Sequence, residues 1–167
     1  MGPFHSERAC KEVLEGLRKP TQNAVMTIYT TNRVRFASSG DVLVGDLHRP
    51  VETSESFDGA VVVVTGSWTT SKEQQADFYA RRLAAAGISS LTFDFRGFGQ
   101  SRGQPRDWEN PERKIADINA AITHLTSRGD VDPDRIGAVG VCASSGYQAA
   151  NAAADPRVRS LVMIAPW

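Results

Sequence analysis

Ile136-Gly137-Ala138-Val139-Gly140-Val141-Cys142-Ala143-Ser144-Ser145-Gly146 is the stretch whose reading decides the fold. Arg135 to Val141 reads as a buried strand, and the alanine-rich segment from about Ser145 to Ala154 as a helix. A strand that passes into a helix through one sharp turn lifts the turn side chain above the sheet. Only small residues two positions before and after it avoid a clash. Gly140 and Ser144 stand at those positions around Cys142. A thiol there meets the positive end of a helix dipole, which favours the thiolate. Cys142 is therefore the candidate nucleophile, weighed against a buried structural cysteine, the usual fate of a lone one. In a second register Ser144 would be the nucleophile with Gly146 behind it; the strand would then run two residues further and press Cys142 against the helix.

Strands and helices alternate outward from this turn. Val158 to Ala165 reads as a further strand. Upstream, Asn110-Pro111-Glu112 opens a helix with an N-cap, a proline at the first position and an early acid. Ile115, Ile118, Ile122 and Leu125 form its apolar stripe, and Gly129 is expected to close it. Leu91 to Phe95 is a strand, followed by a glycine-rich loop from Arg96 to Gln104. Gly59-Ala60-Val61-Val62-Val63-Val64 is an unbroken run of the kind buried on both faces of a parallel sheet. Ser71 and Gln74 suggest a capping box for the helix after it, with Gly87 at its left-handed C-cap. Arg33 to Ala37 and Val42 to Leu47 flank Ser38-Ser39-Gly40-Asp41 as a hairpin. This order predicts an α/β fold: a mainly parallel sheet flanked by helices, with an antiparallel N-terminal hairpin. Residues 25–167 form that core, and residues 1–24 are expected to be an appendage with a peripheral helix from Ser6 to Lys19, stopped by Pro20. Ligands of such sheets gather at the carboxyl ends of the strands, here the loops after Val64, Phe95 and Val141.

Composition narrows the partners. The 167 residues carry 19 Lys+Arg against 19 Asp+Glu, so no basic excess draws nucleic acid or an anionic membrane surface. No apolar run approaches the roughly 18 residues of a membrane helix. The N-terminus lacks a signal-peptide core, and two cysteines are too few for a secreted disulfide framework, which makes the cytoplasm the simplest location. Gly97-Phe98-Gly99 superficially suggests a dinucleotide loop, but Arg102 occupies the third glycine position and Pro105 interrupts the helix that should follow. Neither a cofactor nor a metal is expected.

Three segments together resemble the α/β-hydrolase superfamily, and within it the dienelactone-hydrolase-like branch. They are Val61 through Gly66-Ser67-Trp68-Thr69, the loop Asp94-Phe95-Arg96-Gly97-Phe98-Gly99-Gln100-Ser101, similar to a D-x-R-G-x-G-x-S pattern, and the elbow with cysteine. The resemblance covers about residues 33 to 167. It implies acyl transfer from a small-molecule ester or lactone to Cys142, an esterase-type hydrolase chemistry. The backbone N–H groups of Ala143 and of Trp68, with Ser67 the neighbouring alternative, would then hold the oxyanion. The bland reading of Trp68 is a packing aromatic at a loop edge. Asp94 and Arg96 are expected to fix the turn beside the elbow.

In such hydrolases an acid and then a histidine follow the nucleophile in the chain. Beyond Ala143 there is no histidine, and the only carboxylate is Asp155. His5 lies in the appendage, His48 follows an outer strand, and His124 sits off the apolar stripe, where a solvated side chain is expected. The sequence therefore reads as the N-terminal part of a hydrolase, catalytically incomplete as written, its C-terminal strands absent, with self-association or a complementing chain expected at the strand 158–165. The alternative is a non-catalytic binding or interaction protein on a hydrolase scaffold.

Overall fold

The computed structural model describes residues 28–166. The expected appendage over residues 1–24, with Cys10, lies outside them. Strands β1 (Tyr29–Ser38) and β2 (Asp41–Pro50) form the hairpin, paired in antiparallel register from Tyr29 opposite Pro50 to Ser38 opposite Asp41. Only Ser39 and Gly40 are left in the turn, with φ of 47° and 88°. Positive φ at both central residues is the turn whose twist matches that of the strands it joins. Both strands outrun the expected spans because Thr30, Thr31 and Asn32 are polar, and backbone pairing carries the ladder where apolar alternation gives no signal.

After a short 3-10 turn at Glu55–Phe57 the chain alternates: β3 (Val61–Thr65), α1 (Ala76–Ala85), β4 (Ser89–Phe93), α2 (Pro111–Thr126), β5 (Ile136–Val141), α3 (Ala143–Ala154) and β6 (Val158–Ile164). The six strands form one sheet in the order β1-β2-β4-β3-β5-β6. β2 meets β4 antiparallel, and all later pairings are parallel. The valine run is explained by burial on both faces. Val61 and Val63 pack with Ile118, Ile122 and Leu125 of α2, whereas Val62 and Val64 pack with Ala76, Ala80 and Leu83 of α1. Fully burying such a side chain is worth about 1.5–3 kcal/mol, so this strand anchors both layers.

Helix ends show where tertiary contacts override local signals. α2 begins as expected, with the Asn110 side chain accepting the Arg113 N–H at 2.8 Å and Pro111 in the first turn. It is closed by Ser127, whose N–H bonds to Thr123 O, and Gly129 has no part in its cap. α1 starts at Ala76, not at Ser71. Gln74 Oε1 does accept the Ser71 N–H at 3.0 Å, but the Gln74 N–H goes to the Ser71 carbonyl, and Lys72 N–H is drawn 2.8 Å to the buried Asp94 carboxylate. That pull holds residues 72–75 in turns. At its other end Gly87, with φ 91°, is the left-handed cap: Ile88 N–H reaches Leu83 O and Gly87 N–H reaches Ala84 O.

His124 departs from expectation. It is half-buried, stacked on Phe36 with ring centroids 5.2 Å apart at 13°, because the hairpin packs over that side of α2.

Candidate active site

The chain moves from β3 to β4 on one side and returns across β3 to β5 on the other, so the sheet reverses its winding between β3 and β5. Crevices at such a reversal receive ligands in open α/β sheets. Thr65 at the end of β3 pairs with Gly140 of β5, which sets the loop after β3 beside the turn after β5.

Cys142 forms that turn. Its φ of 55° and ψ of −121° are strained for a residue with a side chain, and they fall on Cys142, not on Ser144. Cys142 N–H is held by Ile164 O at 2.9 Å, and Cys142 O takes the Ser145 N–H at 3.0 Å, so β6 and α3 together impose the bend. A Cβ on Gly140 would lie 2.5 Å from Ser144 O and 2.6 Å from Ser145 Cα. The glycine is thus what lets α3 start this close to β5. The thiol is partly exposed. Ser144 is fully buried, and its hydroxyl has no hydrogen-bond partner among the described residues. Gly146, which the second register would require, has open space where its side chain would be. Ala143 occupies the first helical position, where an N–H has no partner within its helix.

The loop after β3 is pinned from both sides. Thr70 Oγ1 donates to Ser67 O at 2.9 Å. That carbonyl belongs to the same planar peptide as the Trp68 N–H and points the opposite way, so the bond orients the candidate donor. Thr69, with φ 54°, donates its N–H to Glu109 Oε2 at 3.1 Å. The Trp68 side chain is 45% exposed.

Asp94 and Arg96 fix the neighbouring loop as expected. Asp94, 1% exposed, accepts the Lys72 N–H at 2.8 Å and the Gln100 N–H at 2.9 Å, and Lys72 Nζ lies 3.4 Å away. The Arg96 N–H and guanidinium both reach Asp117, which also accepts from Ser38 Oγ at 2.6 Å.

The structure adds a cluster that sequence reasoning missed. Glu109 accepts from Tyr147 Oη at 2.9 Å, and Lys114 Nζ lies 2.8 Å from both carboxylate oxygens. The Lys114 ammonium is 4.5 Å from the ring centroids of Phe95 and Phe98, and burial holds its pKa below the usual lysine value. Burial, with Glu109 second, pushes the Tyr147 phenol upward, and Tyr147 stands one helical turn beyond Ala143 on α3. A signal was available: Lys114 stands four residues before Ile118, on the apolar stripe itself.

The described histidines, His48 and His124, are engaged elsewhere. His48, fully buried, has Nδ1 2.9 Å from Thr31 Oγ1 and Nε2 3.0 Å from Asp77 Oδ1. Asp155 binds the Arg157 guanidinium and the Asn119 amide. Among the described residues no group of His, Cys, Asp and Glu could hold a metal ion, and no helix is long and apolar enough to cross a membrane.

Comparison with known proteins agrees with this architecture. The family model described as serine aminopeptidase, S33, matches residues 55–167. Thiohydrolase apmlB of Arthrinium phaeospermum is 40% identical over 137 residues, 81% of this chain and 43% of the relative. The crystal structure of α/β hydrolase GrgF from Penicillium sp. sh18 superposes with a TM-score of 0.74 at 25% identity, over 82% of this chain and 46% of that one. The dienelactone hydrolase-like promiscuous phosphotriesterase P91 from metagenomic libraries shares the fold, with a TM-score of 0.67 at 19% identity over 83% of this chain and 59% of its own. The chain spans less than half the length of the curated relatives it matches.

Proposed function

Because the chain belongs to the serine aminopeptidase S33 family and has an α/β-hydrolase fold, we propose that it carries the nucleophile half of a hydrolase acting on small carboxylic esters or lactones. The observation that carries this reading is the strained Cys142 at the β5–α3 junction, with Gly140 packed against the start of the helix. Cys142 Sγ attacks the carbonyl carbon, and the carbonyl oxygen takes up the displaced electron pair. The N–H groups of Ala143 and Trp68 hold that oxyanion. Its collapse expels the alkoxide, which is protonated, and leaves a thioester on Cys142 that water hydrolyses. No described residue stands as general base or orienting acid to Cys142, a reading supported by the commitments of His48 and His124 to the hairpin and the helices. Where the family's description names serine, this chain has cysteine. Together with the 40% identical relative named a thiohydrolase, that makes a thioester the second substrate class to assay.

The test is turnover of p-nitrophenyl esters, lactones and acyl thioesters by the full-length protein and its Cys142→Ala variant. The expected result is complete loss in the variant, with iodoacetamide labelling Cys142 much faster than Cys10 at neutral pH. Turnover that survives the substitution refutes the nucleophile, and equal sluggishness of both thiols favours a non-catalytic binding protein on the same scaffold.

A further inference from the structure

We infer that Glu109 is a positioning residue that locks the candidate oxyanion loop onto the nucleophile helix; the inference rests on the reading of Trp68 and Ala143 as the oxyanion donors. One carboxylate gathers donors from three elements. It accepts Thr69 N–H at 3.1 Å from the loop after β3, Tyr147 Oη–H at 2.9 Å from α3, and the Lys114 ammonium at 2.8 Å from α2. Tyr147 lies one helical turn beyond Ala143, and Thr69 directly follows Trp68. Glu109 therefore spans the two backbone segments that must converge on one oxygen atom.

The loop needs such a device. A β-branched residue at positive φ is a genuine outlier and persists only where the surroundings over-determine it. Thr69 is in that state at φ 54°, and Glu109 holds its N–H. The Glu109 side chain is only 10% exposed, and its bonds to Tyr147 and Lys114 are partly buried while the one to Thr69 meets solvent, so the carboxylate is anchored from its inner side. A carboxylate that shielded would ordinarily be costly to keep ionised, and Lys114, itself 2% exposed, offsets the cost. The ammonium in turn sits among the faces of Phe95 and Phe98 and near Tyr147. Lys114 thus makes the carboxylate tenable, and the carboxylate fixes the geometry. An error of about 1 Å in such geometry is worth roughly a hundredfold in rate.

The experiment compares two reactions of the same sulfur in the full-length protein. Acylation by a p-nitrophenyl ester passes through an oxyanion, whereas alkylation by iodoacetamide displaces iodide from a saturated carbon and forms none. The variants are Glu109→Ala and the double variant Glu109→Leu/Lys114→Met, which removes both charges and leaves no unpaired buried ion should the single variant fail to fold. The expected result is a fall in kcat of about ten- to hundredfold, KM within about threefold, and an alkylation rate within about twofold of the parent. Wild-type kcat in both variants overturns the inference and leaves Glu109 a structural ion pair. A parallel fall of acylation and alkylation also overturns it, because Glu109 would then act on the thiol or the fold. Turnover that survives Cys142→Ala instead removes the nucleophile reading beneath it, an outcome distinct from both.

Discussion

Gly140→Ala tests the elbow by adding one methyl group. The added Cβ would stand 2.5 Å from Ser144 O, 2.6 Å from Ser145 Cα and 2.7 Å from Ser144 C. Ordinary carbon contacts lie at about 3.5–4.0 Å, so the shortfall is about 1 Å. All three atoms are backbone or Cα of the first turn of α3, and no flexible side chain can swing aside. Either β5 or the helix start must move, and overpacking of this kind costs about 1–3 kcal/mol. The same displacement moves Cys142 relative to the loop after β3. A misplacement near 1 Å is worth about a hundredfold in rate, so activity should fall further than stability alone explains.

Gly146→Ala is the matched control. It is a glycine in the same helix with open space at its missing Cβ, and alanine in a helix interior gains about 0.5–1 kcal/mol over glycine. Urea denaturation of the two variants and the parent, followed by ester turnover under native conditions, reads both quantities. The expected order of stability is Gly146→Ala, parent, Gly140→Ala, with turnover lost only in the last. A Gly140→Ala protein with parental stability and turnover would refute the close approach of α3 to β5. Loss of turnover in Gly146→Ala alone would transfer the elbow to the Ser144 register.

Two further outcomes follow from buried polar groups. Asp94→Asn keeps the shape but turns one of its two acceptor oxygens into a donor facing the Lys72 or the Gln100 N–H; it should cost about 3 kcal/mol, measured by the shift in urea midpoint, and parental stability would show the loop to be held by its glycines alone. Burial lowers the pKa of His48, and burial with Arg128 lowers that of His124, from their ordinary 6.5. The unfolded chain therefore takes up protons first as pH falls, so stability is full above pH 6.5 and is lost as pH drops from there through the folded values. His124→Phe keeps the stack on Phe36 and removes one titrating group, so its urea midpoint should fall less than the parent's between pH 7 and 5; equal slopes would place the effect elsewhere.

The layers of the fold were legible because burial writes itself into residue type. The valine run of β3, the left-handed cap at Gly87 and three of the four stripe residues, Ile118, Ile122 and Leu125, are local signals that appear where the pattern predicts, while Ile115 is only half-buried and Lys114 takes the buried place beside it. Signals that tertiary contacts compete with were misread. Ser71 and Gln74 look like a helix start, yet the carboxylate of Asp94, 22 residues away, holds the Lys72 N–H. His124 looks solvated on a helical wheel because nothing local announces Phe36 above it. The outer ends of β1 and β2 were missed for a related reason: their pairing is carried by backbone groups, which are the same in every residue.

The candidate site divides along the same line. Gly140, Cys142 and Ala143 fall within four consecutive residues, and a turn that short has few ways to be built, so sequence alone could locate the strained position. Trp68 could be reached only through resemblance, because its relation to Cys142 depends on β3 lying beside β5. Glu109, Thr69 and Tyr147 come from three segments with no shared periodicity. Their convergence is visible in sequence only through its by-product, a lysine on an apolar stripe. A long cation at such a position must carry its own counter-charge into the protein, and here the counter-charge also binds the backbone next to the candidate donor. Stabilising Lys114 and positioning the loop are then one interaction, which is why removing both charges together should spare the fold and still cost the reaction.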